Sequence, residues 1–252
     1  MYPIHKLLDQ LKEYEWINLT HPVTKDMPVY HAFDPLIEEQ LTTLEETGSN
    51  NKQYTIGTSH GTHIDAPEHF VGGLRKLEDL STQERALPLY VLHLEAEVKE
   101  NPDYSVSVED ILAFEEKYGQ IPAGSFVAFS SGWHHRFDTA ENYENPDSDG
   151  VQHTPGWSVP ALEFLSRERQ ITAIGHESLN TDTGVEAAEA GDLVAQRFWL
   201  GEDKYQVENM ANLDQVPAVG SIIIVAMPHI QTAPAFPCEA YAIAPERRDP
   251  KV

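Results

Sequence analysis

The chain is poor in basic residues, has one cysteine and lacks a long apolar run. Of its 252 residues, 17 are lysine or arginine and 41 are aspartate or glutamate, so the formal net charge is −24. Nucleic acids and anionic membrane surfaces attract basic side chains, so we expect neither as a partner. The longest apolar run, residues 222–227, has six residues. A membrane-spanning helix needs about 20, so we expect a soluble protein.

The single cysteine, Cys238, excludes an internal disulfide framework and any metal site built from several thiolates. No apolar signal segment follows Met1, which together with the lone thiol favours a cytoplasmic location. Aromatic residues occur along the whole chain, so disorder is not indicated. We find no repeat and no long linker, and expect one domain over residues 1–252.

The apolar patterns alternate between helical and extended types, which indicates a mixed α/β fold. A helix over 108–118 is predicted by the capping residue Ser107 and the stop at Gly119. Further helices are predicted over 4–14 and after Ser158. Strands are predicted at residues 16–19, 89–98, 126–129, 171–174 and 221–227. The acidic stretch 138–149 is expected to be an exposed loop, or a mobile cover over a site.

Three of the twelve histidines fall within ten residues, in the segment SHGTHIDAPEH at 59–69. Imidazole nitrogen and carboxylate oxygen bind Zn²⁺, Mn²⁺ or Fe²⁺ where no thiolate is available. His63 and Asp65 are two positions apart, so an extended segment presents both on one face. Pro67 stops a helix from continuing, and His69 beyond it can turn back toward the ion as a general acid or base.

Segment 59–69 resembles the H-x-G-T-H-x-D-x-P-x-H motif of the metal-dependent cyclase-like hydrolases, the family of bacterial kynurenine formamidase and isatin hydrolase. Further segments resemble that family in the same order along the chain: NLTHP at 18–22, MPVY at 27–30, SGW at 131–133, PGWS at 155–158, TD at 181–182 and ENMANL at 208–213. The resemblance therefore covers most of the chain.

The resemblance implies a β-barrel-like core flanked by helices, in the swivelling β/β/α arrangement, and assembly into dimers or tetramers. A divalent metal, Mn²⁺ or Zn²⁺, would be held by His60, His63 and Asp65 with help from Gln196. His69 would act as the base. Glu208 would be a further ligand or would orient the attacking water.

The chain departs from the family motif at two ligand positions. The family's first metal-binding histidine falls on Ser59, one residue before His60, so either His60 binds through a one-residue shift or Ser59 occupies the ligand position. We favour His60, because imidazole binds these metals better than a hydroxyl. Members with two metals carry a histidine twelve residues before Glu208, where this chain has Gln196. One metal per subunit is therefore expected rather than two.

The predicted function is metal-dependent hydrolysis of a small amide, aryl formamide or lactam. Two alternatives remain open, a metal-binding module without catalysis and a cyclase or dehydratase that uses the same site. Phe33, Trp133 and His229 are candidate substrate contacts, although core packing explains the aromatic residues equally well. The cationic cluster at 134–136 is interpreted as a solvated loop, or as a group that steers an anionic part of the substrate.

Overall fold

The structure is a computed structural model that describes residues 2–245. Its strands are β1 Glu15–Asn18, β2 Ile37–Thr42, β3 Asn51–Thr55, β4 His63–Asp65, β5 Ala86–His93, β6 Ser105–Val106, β7 Phe126–Ser130, β8 Gly156–Trp157, β9 Ala173–His176, β10 Tyr205–Glu208, β11 Ser221–Ala226, β12 Ala235–Pro237 and β13 Glu239–Ala244. Its α-helices are α1 Pro3–Leu11, α2 Leu44–Thr47, α3 Glu95–Glu100, α4 Val108–Tyr118, α5 Ala140–Glu144, α6 Val159–Glu163, α7 Gly184–Ala190 and α8 Val194–Gly201.

Short helical turns complete the architecture. A π-helical turn, Phe164–Glu168, extends α6. The 3₁₀ turns are Pro67–His69, Leu77–Asp79, Gln83–Arg85, Trp133–Arg136 and Leu213–Gln215. None of the helices within residues 2–245 is long and apolar enough to cross a membrane.

One curled sheet organises the described residues. Its nine strands follow the order β1-β13-β11-β5-β7-β9-β10-β4-β12. The neighbours from β5 to β10 run parallel, and the outer pairs on both sides are antiparallel. Polar side chains at the carboxyl ends of β9 and β10 therefore meet at one edge of the parallel part.

Apolar side chains cover both faces of this sheet, as alternation along each strand requires. One buried cluster includes Ile64, Val207 and Ile223 and fills the inside of the curl. The other includes Val127 and Ile174 and packs under helices α4, α6 and α8. The predicted mixed α/β class, with a barrel-like core flanked by helices, is confirmed.

The best-defined helix prediction is confirmed residue by residue. Helix α4 spans Val108–Tyr118, and the Ser107 hydroxyl accepts a hydrogen bond from the backbone N–H of Asp110 at 3.2 Å. The Asp110 carboxylate in turn accepts from the backbone N–H of Ser107 at 2.8 Å. Gly119 ends the helix at φ 90°, in the region that glycine favours.

Two local predictions are wrong. The strand predicted over 89–98 ends at His93, and Glu95–Glu100 forms α3, because the apolar residues of its second half also fit a helical face on which Val98 is buried. The stretch 138–149 is not only a loop. It contains α5, which Thr139 caps and which buries Tyr143 completely. The Tyr143 hydroxyl donates to the side chain of Asn209 at 2.7 Å, a contact that local sequence does not reveal.

Candidate metal centre

The register of β4 and β10 builds a buried polar cluster. Glu208 lies opposite His63, and Gln206 lies opposite Asp65. Because side chains alternate along a strand, all four point to the same face of the sheet, toward α8. Each is 3% exposed or less. We call His63, Asp65 and Glu208 the strand site.

The three side chains of the strand site converge. The Nε2 atom of His63 lies 3.2 Å from Glu208 Oε2 and 3.5 Å from Asp65 Oδ1. Burial alone would lower the pKa of His63, but the two carboxylates outweigh it and raise that pKa to about 9. Burial raises the pKa of Asp65, whereas the neighbouring imidazoles of His176 and His63 outweigh burial at Glu208 and lower its pKa to about 2. Two carboxylates converge on one imidazole in this buried pocket, a donor set that suits a cation.

Gln206 orients both carboxylates. Its amide nitrogen donates to Asp65 Oδ2 at 3.1 Å and to Glu208 Oε1 at 2.8 Å. The hydroxyl of Thr181 donates to its amide oxygen at 2.8 Å, which fixes the direction of the amide. Sequence reasoning missed Gln206. The signal was its spacing of two from Glu208, which places both on one face of a strand.

The first turn of α8 brings Gln196 over the strand site. The carboxylate of Asp182 accepts hydrogen bonds from the backbone N–H groups of Ala195 at 2.7 Å and Gln196 at 2.9 Å, and so anchors this turn. The side-chain amide of Gln196 donates to Asp65 Oδ2 at 3.2 Å. Gln196 therefore lies next to Asp65, another of the predicted metal ligands.

His69 reaches the rim of the site through the turn Pro67–His69. Its Nε2 atom lies 3.9 Å from Asp65 Oδ1, and its side chain is 26% exposed. Pro67 begins the turn and prevents β4 from continuing, so the chain bends back toward the metal ligands predicted upstream. A ring at this rim contacts both the site and the adjoining cavity, as a proton carrier must.

The structure separates His60 from the other predicted ligands. Its Nε2 atom lies 3.0 Å from the backbone carbonyl oxygen of Asp34, and its ring packs 5.5 Å from that of Phe33. Gly57 allows this position, since a Cβ there would approach the His60 ring to 2.5 Å. Ser59 lines the cavity beside the strand site instead. The His60 Nδ1 atom is buried and has no hydrogen-bond partner, so the choice between the two alternatives at this motif position stays a prediction.

Unpaired buried atoms show that the site suits a cation. Asp65 Oδ1 and Gln196 Oε1 are both buried and have no hydrogen-bond partner. Such acceptors are costly to leave unpaired, and a divalent ion would satisfy both. One ligand atom each from His63, Asp65 and Glu208 lies within 4.8 Å of the other two. The residues present fit a metal ion.

A cavity of about 300 Å³ opens onto the site. Its walls include three aromatic rings and two leucines, and its lining residues are Tyr30, Phe33, Ser59, His63, His69, Phe70, Leu179, Asn180, Leu193, Gln196 and Glu208. Of the candidate substrate contacts, Phe33 lies in this wall. Trp133 is buried, with its indole N–H donating to the carbonyl of Tyr143 at 2.9 Å, and His229 is exposed outside the lining.

His176, at the end of β9, is a further neighbour that sequence reasoning missed. It is fully buried, and its Nε2 atom lies 3.6 Å from Glu208 Oε1. His176 follows the short apolar run that predicted this strand. The local sequence did not predict that its side chain lies next to Glu208. The roles of these residues in chemistry stay predictions, whereas their positions are fixed by the fold.

The chain is similar in sequence to known proteins. The Cyclase family model matches residues 17–183, more than half of the chain. Isatin hydrolase from Roseibium aggregatum is 29% identical over 195 residues, which are 76% of this chain and 73% of that protein. Kynurenine formamidase from Bacillus anthracis is 36% identical over 74 residues, which are 29% of this chain and 35% of that protein.

Among solved structures, isatin hydrolase A from Labrenzia aggregata, bound to benzyl benzoate, superposes with a TM-score of 0.89. The match covers 97% of this chain and all of that chain, at 26% identity. The resemblance inferred from the motif segments is therefore confirmed by sequence and by fold. The chain belongs to the cyclase family.

Proposed function

We propose that this protein is a metal-dependent hydrolase of a small aryl amide, with a lactam as the substrate class of best fit. The observation that carries the proposal is the buried strand site, with His69 at its rim and a cavity with aromatic walls in front of it. The likeness to isatin hydrolase spans 76% of the chain, against 29% for kynurenine formamidase, and this favours a lactam over an open formamide.

His63, Asp65 and Gln196 would hold the ion, and Glu208 would be a further ligand or would orient the attacking water. A bound divalent ion supplies an acidic water and polarises the substrate carbonyl. Gln206 keeps both carboxylates turned inward through its two donated hydrogen bonds. One ion at the strand site suffices for this chemistry, since Gln196 is a neutral amide at the position where a second catalytic metal would require a stronger ligand.

Manganese suits this donor set better than zinc. Asp65, Gln196 and Glu208 offer oxygen and only His63 offers nitrogen, and oxygen-rich sites favour Mn²⁺ over the softer ions. Metal analysis of the purified protein tests this choice. Zinc bound at the strand site, with manganese absent, contradicts it.

His69 moves the proton. Its ring takes a proton from the attacking water and delivers it to the nitrogen that leaves when the C–N bond breaks. A lactam ring opens in this step to an amine and a carboxylate on one molecule, with one water consumed. The partly exposed position of His69 lets it exchange protons with solvent between turnovers.

The cavity limits the substrate to a small, flat molecule. Its volume of about 300 Å³ is at the lower end of small-molecule sites. Tyr30, Phe33 and Phe70 supply rings against which an aryl group stacks. These rings would hold the aromatic part of the substrate and leave its carbonyl group facing the strand site.

Turnover of three probes tests the proposal. Isatin, an aryl formamide and a cyclic imide are incubated with the metal-loaded chain, with the chelated chain, and with the chelated chain after manganese is returned. We expect isatin to be hydrolysed fastest, hydrolysis to stop on chelation and to return with manganese. Bound metal without turnover of any probe would favour a binding module. Product formation without net uptake of water would favour a cyclase or dehydratase.

We propose further that the chain assembles into a homo-oligomer and works in the cytoplasm. Ile4, Leu7 and Leu8 of α1 are between 46% and 67% exposed, an apolar face that a second copy of the chain can cover. Light scattering after size-exclusion chromatography measures the mass in solution. A monomer at micromolar concentration contradicts the oligomer.

A further inference from the structure

A second histidine and carboxylate cluster lies outside the catalytic cavity. His134 and His135 belong to the turn Trp133–Arg136, and Asp214 belongs to the turn Leu213–Gln215. The ligand atoms of these three residues all lie within 4.8 Å of one another. We call these three residues the turn site.

The ring of His134 is held in the orientation that a metal ligand requires. Its Nδ1 atom lies 2.7 Å from Glu177 Oε1, and Glu177 is completely buried. The backbone N–H groups of Ser131 and Leu213 donate to the same carboxylate at 3.0 and 3.2 Å, so Glu177 cannot rotate away. A carboxylate that fixes one ring nitrogen leaves the other, Nε2, free to bind a metal, as in carboxylate–histidine–zinc arrangements.

The free nitrogen faces two further ligands at metal-binding separation. His134 Nε2 lies 3.7 Å from Asp214 Oδ1, and His135 Nε2 lies 3.7 Å from Asp214 Oδ2. Both distances are too long for hydrogen bonds. Ligand atoms each about 2.1 Å from a tetrahedral ion lie about 3.4 Å from one another, close to the separations found here.

Unpaired polar atoms mark the same place. Asp214 Oδ1 is buried and has no hydrogen-bond partner. A cavity of about 370 Å³ lies beside the two histidines, with room for the water that completes a four-coordinate ion. His21 also lines this cavity, and its buried Nε2 atom likewise has no partner.

We infer that the turn site binds a second divalent transition-metal ion, with zinc as the metal of best fit. Two imidazole nitrogens and one carboxylate suit Zn²⁺, whereas Ca²⁺ and Mg²⁺ require oxygen ligands throughout. The ion ties the turn after β7 to the turn after β10. Glu177 directly follows His176, which faces Glu208, so a metal here also braces the sheet edge that carries the strand site.

Metal stoichiometry in matched variants tests this inference. The chain, prepared without a histidine tag, is stripped with a chelator and titrated with ZnCl₂ by calorimetry, and bound zinc is counted after equilibrium dialysis. His135→Ala is suitable because the His135 side chain is 68% exposed and its loss leaves the core intact. Asp214→Asn keeps the shape of the second ligand and removes its charge.

His153→Ala is the matched control. His153 also has two carboxylates near its ring, Asp103 at 2.7 Å and Asp147 at 3.6 Å, but they lie on opposite ring nitrogens and cannot share one ion with it. We expect the unchanged chain and His153→Ala each to bind one zinc equivalent more than His135→Ala, with a Kd below about 10 μM, whether or not the strand site also takes zinc.

We expect His135→Ala to lose this turn-site equivalent, and Asp214→Asn to bind it at least about tenfold more weakly. Zinc should also raise the melting temperature further in the unchanged chain than in His135→Ala. A turn-site equivalent that is absent from the unchanged chain, that binds more weakly than stated, or that survives in His135→Ala overturns the inference. The proposed hydrolase activity is not needed for any of these measurements, so the two proposals fail separately.

Discussion

The strand site and the turn site use the same kinds of side chain on different supports. In the strand site, paired strands fix His63 opposite Glu208, and every member is buried. In the turn site, two short helical turns carry the residues, His135 is exposed and Asp214 is partly exposed. Paired strands, joined by a row of backbone hydrogen bonds, hold their side chains more firmly than a short turn holds its own. We therefore expect the strand site to bind its metal in a preorganised, dry pocket and the turn site to bind more weakly.

The largest expected effect comes from comparing the same aspartate-to-asparagine substitution in the two sites. Asp65→Asn should lower metal affinity at the strand site by at least about 100-fold and kcat/KM by at least about 10³-fold, because a neutral amide replaces a buried charged ligand. Asp214→Asn, the control at the turn site, should leave kcat/KM within about threefold. Metal analysis and isatin hydrolysis measure both. Equal losses in the two variants would show that the sites do not have separate roles.

The next effect distinguishes a proton carrier from a ligand. His69→Asn should lower kcat by about 10²- to 10⁴-fold while the chain keeps its strand-site metal, because the ring lies at the rim rather than among the ligands. Its control is His229→Asn, an exposed histidine outside the cavity lining, which should retain full activity. Metal lost together with activity in His69→Asn would make His69 a ligand instead.

The third prediction concerns pH. The pKa of His63 in the metal-free fold, about 9, lies above the ordinary value of 6.5. Its contribution to the free energy of unfolding, about 3 kcal/mol, is therefore complete below pH 6.5 and is lost as pH rises to 9. Thermal melts of the metal-free chain should shift downward across this window.

Saturating manganese should largely remove that downward shift, since the ion takes the place of the proton on His63. Over the same range, affinity for manganese should rise about tenfold per pH unit, because binding releases one proton. Zinc titrations of the turn site over the same pH range give a comparison within the same chain. There the His134 ring is held by Glu177. A flat melting profile for the metal-free chain would contradict the assigned protonation of His63.

The smallest expected effect tests the motif position that the sequence left open. His60→Ala should change strand-site metal affinity by less than about threefold, because its Nε2 atom contacts the carbonyl of Asp34 and His60 is not in the group formed by His63, Asp65 and Glu208. His63→Ala, the control, should lose at least about 100-fold. Competition with a fluorescent chelator measures both. A loss in His60→Ala as large as that in His63→Ala would restore His60 as a ligand.

The sequence predicted the parts of the fold and site that depend on local periodicity. His63 and Asp65 share a face because they are two apart, and α4 follows from its capping residue and its glycine stop. Other features depend on contacts between residues far apart in the chain, which local sequence patterns do not predict. The turning of His60 toward Asp34 depends on a segment 26 residues earlier. The support of Gln206 depends on the pairing of β4 with β10, strands that lie far apart in the chain.

The most direct test of the central claim is anomalous X-ray diffraction from a crystal of the chain loaded with manganese. We predict one strong peak at the manganese edge between the side chains of His63, Asp65 and Glu208, on the cavity side of β4. The His60 ring should remain beside the carbonyl of Asp34. A fully loaded, active crystal with no peak at the strand site would contradict the account.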